Sequence, residues 1–180
     1  MPAQQQAVDV ACKRSAATSK LKKSTSSGPM DKGRLKSFLE LQIVWKDEDI
    51  FELKVTASNS RYFGTTEVYD TTKSLFGFAQ TLIGFPKENK RIFYDAGNKD
   101  GHSYFSMNFY CINNVGHIGV EINLEENVAT DFRPEEKDKI KLEIIVDRSA
   151  IDNFQKELSK LATSQEGKAI LYGRDNNFSY

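Results

Sequence analysis

Apolar and polar residues alternate along most of this chain with a period of two, and this pattern limits the possible folds more than any other feature. Successive side chains of a strand point to opposite faces, so the period predicts strands that bury one face. The first run places four apolar residues on its predicted inward face, namely Leu39, Leu41, Ile43 and Trp45. Further strands are predicted at residues 51–57, 61–69, 91–94, 104–111, 118–124 and 140–146.

Two stretches follow a helical period instead. Leu75, Phe78 and Leu82 share one face of the first predicted helix, with Asp70 or Thr71 as its N-cap. The second helix is predicted to begin at Ser149 and to carry an apolar stripe of Ile151, Phe154, Leu158 and Leu161. The order β-β-β-α-β-β-β-β-α predicts the α+β class, with one antiparallel sheet of about six to seven strands and two amphipathic helices packed on one face. Residues 169–172 predict a short additional strand.

Composition separates the beginning of the chain from the rest. Residues 1–35 contain no aromatic residue and are predicted to be a disordered basic tail or a vector-derived extension. Residues 36–180 are predicted to form a single α+β domain. Residues 1–36 hold 8 Lys or Arg against 2 Asp or Glu, so the net charge of zero divides into +6 there and −6 in residues 37–180.

The acidic body makes nucleic acid an unfavourable partner except through the basic tail, because phosphate binding depends on Lys and Arg. No apolar run approaches the length of a membrane span, so no membrane partner is predicted. The first residues lack a secretory signal, and two cysteines are too few for a disulfide framework. These features predict a cytoplasmic location.

Catalytic equipment is sparse, and the chain is predicted not to be an enzyme. It contains two histidines, His102 and His117, and neither follows a recurrent metal-ligand spacing. Cys111 is predicted on an inward strand face, where thiols are usually inert. No glycine pattern matches a phosphate cradle, so no cofactor and no metal are predicted.

A binding surface is predicted on the polar faces of the strands instead. Tyr104, Ser106, Asn108 and Tyr110 share one face, and pairing would place them beside His117, Glu121 and Asn123. Tyrosine contributes a large contact area at low entropic cost, which favours recognition. The predicted binding residues are Tyr62, Glu67, Tyr69, Tyr104, Tyr110, His117, Glu121 and Asn123. The alternative is that the helices cover this face and leave these residues partly buried.

Four segments carry a resemblance in layout to known proteins. They are the strand 62–69, the sheet-covering helix 75–82, the segment 116–120 and the helix start 151–154. In this layout, residues 51–162 resemble small bacterial toxin-immunity proteins of α+β type, the WapI-type immunity proteins and their relatives. The resemblance implies a non-catalytic protein that neutralises a cognate toxin.

The leading hypothesis is therefore a protein-binding immunity module whose partner is a basic toxin domain. The acidic body and the acidic segment 125–138 favour such a partner. The alternative is a small-molecule-binding or uncharacterised enzymatic α+β domain with a pocket between sheet and helices. A third hypothesis is that the basic tail directs the domain to nucleic acid or to the nucleus.

Overall fold

A computed structural model describes residues 36–86, 90–113, 116–127 and 136–174 of the 180-residue chain. The strands are β1 (Ser37–Lys46), β2 (Phe51–Asn59), β3 (Phe63–Asp70), β4 (Arg91–Gly97), β5 (Ser103–Cys111), β6 (Ile118–Asn127), β7 (Lys137–Val146) and β8 (Lys168–Tyr172). The helices are α1 (Thr72–Thr81) and α2 (Arg148–Ser164). The predicted tail at residues 1–35 lies outside the described residues.

The strands form two antiparallel sheets of four strands each. Sheet A has the order β3-β2-β1-β8, and sheet B has the order β4-β5-β6-β7. The predicted α+β fold with a single sheet of six to seven strands is therefore wrong, because the fold is mostly β. The alternation correctly indicates that each strand buries one face, but it does not indicate whether a helix or a second sheet covers that face.

The core lies between the inner faces of the two sheets. Leu41, Val55 and Val68 of sheet A and Met107, Ile122 and Ile144 of sheet B are all completely buried. Gly64 on β3 marks a close approach, because a Cβ atom there would lie 2.8 Å from the Ile140 side chain on β7. The principal cover of each sheet is thus the other sheet.

Apolar residues of both helices belong to the same core. Helix α1 begins after Thr71, whose hydroxyl accepts a hydrogen bond from the Ser74 amide at 3.2 Å, as predicted for one of the two cap candidates. Its Phe78 ring packs 4.6 Å from the Tyr94 ring of β4. Helix α2 begins after Asp147 and not at the predicted Ser149.

Strand β8 confirms the short additional strand predicted near the end of the chain and completes sheet A. It pairs antiparallel with β1, from Phe38 opposite Tyr172 to Gln42 opposite Lys168. The Glu157 carboxylate of α2 accepts a hydrogen bond from the Ile170 amide at 2.7 Å. Helix α2 therefore satisfies a donor on an edge strand, where an unpaired donor would invite pairing with another chain.

Two strand boundaries differ from the predictions. The acidic segment 125–138 lies partly in strands, because β6 continues to Asn127 and β7 begins at Lys137, while residues 128–135 lie outside the described part. Strand β1 has a register shift between Ile43 and Trp45. An extra residue in one strand reverses the facing of those that follow. Trp45 is consequently 47% exposed, not inward as predicted.

Candidate functional site

The outer face of sheet A carries an open aromatic cluster where β1, β2 and β3 lie side by side. Register places Trp45 opposite Glu52, and Glu52 opposite Tyr69. We call these three residues the Trp45 row. Trp45 is 47% exposed and Tyr69 is 54% exposed. Their rings meet edge to face with centroids 6.3 Å apart, so the two large side chains lean together above the sheet and remain accessible.

The negative charge of the Glu52 carboxylate affects the pKa of the Tyr69 phenol in this row. The pKa of Tyr69 is raised above its ordinary value, first by the negative charge of Glu52 and then by burial and hydrogen bonding to Glu52. Glu67 makes the smallest contribution to this shift. A phenol with a raised pKa keeps its proton over a wider pH range and remains a hydrogen-bond donor.

A second aromatic group lies at the opposite end of the same face. It is a line of four neighbouring residues, one from each strand of sheet A, and we call it the Phe38 row. In the order β8, β1, β2 and β3, these residues are Tyr172, Phe38, Ser58 and Phe63. Tyr172 is 58% exposed and Phe63 is 55% exposed, whereas Ser58 is completely buried among its neighbours. This row therefore presents apolar rings above a closed floor.

Between the two rows lies a strip whose side chains are polar except for Ile170. It consists of Ile170, Glu40, Thr56 and Thr65 in one register line and Lys168, Gln42, Lys54 and Glu67 in the next. Lys168 and Glu40 are 2.9 Å apart, and Lys54 and Glu67 are 3.4 Å apart. We call this surface the polar strip. Its two cations and two anions are paired, so it carries no net charge.

The outer face of sheet B brings together most of the predicted binding residues. Tyr104 and Tyr110 of β5 share this face with Glu121 and Asn123 of β6, because β5 and β6 pair as predicted. The Arg91 guanidinium lies 5.7 Å from the centre of the Tyr110 ring. A Cβ atom on Gly119, beneath that ring, would lie 2.6 Å from its Cζ, so both faces of the Tyr110 ring are occupied.

Tyr104 is covered in a similar way. The Lys99 ammonium lies 6.0 Å from the centre of its ring, and Asp95 lies 3.5 Å from its hydroxyl. Burial is the largest cause that raises the pKa of Tyr104, with Asp95 a smaller one. The Tyr104 and Tyr110 rings are thus covered by contacts with other residues of this face, whereas Phe93 on β4 is 58% exposed.

The polar groups of sheet B also bond within the face. Asn123 donates to the Ser106 hydroxyl at 3.1 Å, and the Glu121 carboxylate lies 2.8 Å from the Lys141 ammonium. His117 contacts Arg174, so it joins the segment after β8 to the end of sheet B.

Three predicted binding residues lie elsewhere. Glu67 belongs to the polar strip and Tyr69 to the Trp45 row, while Tyr62 is 64% exposed in the turn before β3. The structure therefore divides the predicted residues between the two outer faces, which point in opposite directions, with Tyr62 and His117 just before β3 and β6. No observation tests them as binding residues, and the prediction of their role stays a prediction.

Sequence reasoning missed Trp45, Glu52, Phe38, Phe63 and Tyr172. The bulge concealed Trp45, because uninterrupted alternation would have placed it in the core. Phe63 and Tyr69 share one parity along β3, opposite to the buried Val68, and this alternation was a signal that could have placed both outside. The sequence alone could not place Tyr172 on the same face as Phe63 and Tyr69, because this requires knowing that β8 pairs with β1.

One buried polar pair lies away from both outer faces. The Tyr94 hydroxyl, nearly buried on β4, donates to the Asp70 carboxylate at the end of β3. Burial raises the pKa of Asp70, and hydrogen bonds from Tyr94, Thr71 and Ser74 oppose that rise. This pair joins the two sheets at the start of α1, so its role is structural.

A groove of about 530 Å³ lies between α2 and β8 and is lined by charged residues such as Lys156 and Arg174. Its carboxylate Glu157 already accepts the Ile170 amide. Among residues 36–86, 90–113, 116–127 and 136–174, no three His, Cys, Asp or Glu side chains lie close enough together to hold a metal ion. Neither described helix has the length and apolar character of a membrane-crossing helix.

The fold and its open face define a class, a two-sheet β module that presents aromatic residues on one outer surface. The family model for the C-terminal part of glycosyl hydrolases of family 32 matches residues 4–158. The chain belongs to this family, whose C-terminal domain is typically a non-catalytic β-sandwich. Comparison with curated proteins gives no match, and comparison with solved structures gives none either.

The family overturns the predicted identity and partner. The layout shared with WapI-type immunity proteins was misleading, because hairpins followed by an amphipathic helix occur in many folds. The predicted immunity function and the predicted basic toxin partner are wrong, since the family connects the chain with glycosidases and carbohydrates. The prediction that the chain is not an enzyme agrees with the usual character of this domain.

Proposed function

We propose that this chain is a non-catalytic carbohydrate-binding module and that the Trp45 row holds the sugar. The observation that carries the proposal is the pair of half-exposed rings, Trp45 and Tyr69, on either side of the Glu52 carboxylate. The family match supports carbohydrate as the ligand class.

The chemistry of a sugar suits this row. A sugar ring has faces of C–H bonds, which carry a small positive charge and are attracted to the negative face of an aromatic ring. Its hydroxyl groups need hydrogen-bond partners when they leave water. Glu52 can accept from a sugar hydroxyl with a remaining lone pair, and the Tyr69 oxygen, whose proton bonds to Glu52, can accept from another.

The non-catalytic part of the proposal is supported by the surroundings of the carboxylates. Glycoside hydrolysis commonly uses two carboxyl groups, one of which donates a proton and therefore has a raised pKa. Asp70 has a raised pKa, but its carboxylate is engaged by Tyr94, Thr71 and Ser74 inside the fold. Glu52 lies on an open face, where no wall excludes water from a reacting bond.

A binding experiment tests the proposal directly. The full chain is titrated by calorimetry with oligosaccharides of β-linked fructose, glucose and mannose. We expect heat of binding for at least one series and a loss of about tenfold in affinity for Trp45→Ala or Tyr69→Ala. Phe93→Ala is the matched control, because Phe93 is 58% exposed on the outer face of sheet B.

Two results would contradict the proposal. One is an absence of binding to all three series by a folded chain. The other is an equal loss of affinity in Trp45→Ala and Phe93→Ala, which would remove the Trp45 row as the site. Release of reducing sugar by the purified chain would contradict its non-catalytic character.

A further inference from the structure

The outer face of sheet A has aromatic residues at both ends, and a single sugar unit can use only one of them. Glu52 and Ser58 of β2 belong to the Trp45 row and the Phe38 row respectively, as do Tyr69 and Phe63 of β3. Each pair is separated by six residue steps. At a rise of about 3.3 Å per residue, the two rows lie about 20 Å apart.

This separation corresponds to several sugar units. A sugar unit with its linking oxygen advances about 5 Å, which follows from bonds of about 1.5 Å in a zigzag path. About four such steps separate the rows, so a ligand that contacts both needs about five units. Because each row runs across the strands, the ligand would run along them.

The polar strip indicates the charge of this ligand. Its cations Lys168 and Lys54 are paired with the anions Glu40 and Glu67. A polyanion would meet two carboxylates here, and a polycation would meet two ammonium groups, whereas a neutral chain of hydroxyl groups can bond to both kinds of charge. Charge complementarity therefore favours a neutral polyhydroxyl ligand.

Short side chains form the centre of the strip. Thr56 and Thr65 are short side chains whose hydroxyl oxygens lie 3.4 Å apart, directly between the two rows. Rings at both ends thus stand on either side of a hydrogen-bonding surface.

From these observations we infer that sheet A binds an extended, neutral polysaccharide segment of about five units that contacts the Trp45 row and the Phe38 row simultaneously. This inference rests on the proposed function and adds the length, charge and direction of the ligand. Phe63 and Tyr172 become part of the site, although they lie far from Trp45.

The dependence of affinity on chain length tests this inference. The full chain is titrated with linear β-linked fructose, glucose and mannose oligosaccharides of two to eight units. In the series that binds, we expect affinity to rise steeply up to about five or six units and then to level off, since both rows are then engaged. Raising the salt concentration should leave affinity unchanged, because a neutral ligand has no charge to screen.

Variants separate the two rows. Phe63→Ala should lower affinity for a six-unit ligand about tenfold, because it removes one stacking ring, and should leave affinity for a two-unit ligand bound at the Trp45 row unchanged. Trp45→Ala should lower affinity for both lengths. Circular dichroism and the melting temperature serve as controls that both variants fold, and Phe93→Ala is again the unaffected aromatic control.

The outcomes distinguish this inference from the proposed function. If two-unit and six-unit ligands bind equally well, or if Phe63→Ala leaves the six-unit affinity unchanged, the inference is overturned while sugar binding stands. If no series binds at any length, the proposed function fails first. If the chain sediments as a dimer that Phe63→Ala dissociates, a second copy of the chain covers this face, and the inference is overturned as well.

Discussion

The two outer faces of this molecule contain similar residues and differ in what those residues already contact. On sheet B, the Tyr110 ring lies between Arg91 and Gly119, and Tyr104 lies beneath Lys99. On sheet A, the Trp45 and Tyr69 rings touch each other only edge to face and stay about half exposed. An aromatic side chain can stack on a ligand only if one of its faces is unoccupied, so composition alone does not distinguish the two surfaces.

The largest effect is expected from a comparison of two double variants. Trp45→Ala with Tyr69→Ala should reduce sugar affinity by more than about tenfold, because it removes two stacking rings that contact each other and whose effects need not add. Tyr104→Ala with Tyr110→Ala removes two rings from the covered face and should change affinity less than about threefold. Calorimetry with the tightest-binding oligosaccharide gives both values. A larger loss in the sheet B double variant would move the site to the residues predicted there.

Alanine substitutions at two glycines compare the cost of an added methyl group between the sheets with its cost on an outer face. Gly64→Ala places a methyl group 2.8 Å from Ile140 and 3.3 Å from Leu124 between the sheets. We expect it to lower the free energy of unfolding by about 1–3 kcal/mol, as overpacking does.

The matched control for this substitution is Gly119→Ala on the outer face of sheet B. Its new methyl group meets the far end of the Tyr110 side chain, which can swing away from the sheet. The cost should therefore be below about 1 kcal/mol. Denaturant unfolding measures the free energy of unfolding of both variants. A larger loss of stability in Gly119→Ala than in Gly64→Ala would show that the Tyr110 ring is fixed above Gly119 and cannot swing away.

Removing the hydroxyl from each of two tyrosines of sheet B compares the stability contribution of a buried hydroxyl with that of a surface hydroxyl. Tyr94→Phe removes a donor from the partly buried Asp70 and should cost about 1–3 kcal/mol at pH 7. Tyr104→Phe, which removes a longer contact of 3.5 Å to Asp95, should have little effect. Equal losses in the two variants would contradict a structural role for the buried pair.

The pH dependence of Tyr94→Phe follows from the raised pKa of Asp70. A carboxyl group with a raised folded-state pKa is harder to ionise when folded, so its contribution makes the free energy of unfolding fall as pH rises through the acidic range. The Tyr94 hydrogen bond opposes this rise in pKa, so its removal raises the pKa of Asp70 further. The variant should therefore lose more stability at pH 7 than at pH 4, measured by denaturant unfolding at both values.

Local patterns could predict the strands, because a period of two depends only on neighbouring residues. The expected pairing of β5 with β6 is confirmed, and Tyr104, Asn108 and Glu121 share one face as predicted. The division into two sheets could not be predicted in this way, since it depends on β8 pairing with β1 across most of the chain. Contacts between residues distant in sequence decide which sheet covers which face.

In the candidate site too, features set by neighbouring residues could be predicted from the sequence, whereas features set by residues distant in sequence could not. Trp45 follows a bulge that a simple alternation does not reveal, so its facing was predicted wrongly. The rings of Tyr104 and Tyr110 were placed correctly on one face, but the cations that cover them come from outside β5. The residues of a face can thus be predicted from the sequence more readily than their accessibility.

The smallest expected effect concerns the cause of the pKa shifts on the two faces. The pKa of Tyr69 is raised first by the charge of Glu52, whereas that of Tyr104 is raised first by burial. Glu52→Gln should therefore lower the pKa of Tyr69 toward its ordinary value, and Asp95→Asn should change that of Tyr104 less. Ring-carbon NMR during an alkaline titration measures both shifts. Glu67→Gln is the control on sheet A, and a shift of Tyr69 as large as that in Glu52→Gln would show that the whole face, not its nearest carboxylate, sets the protonation of this tyrosine.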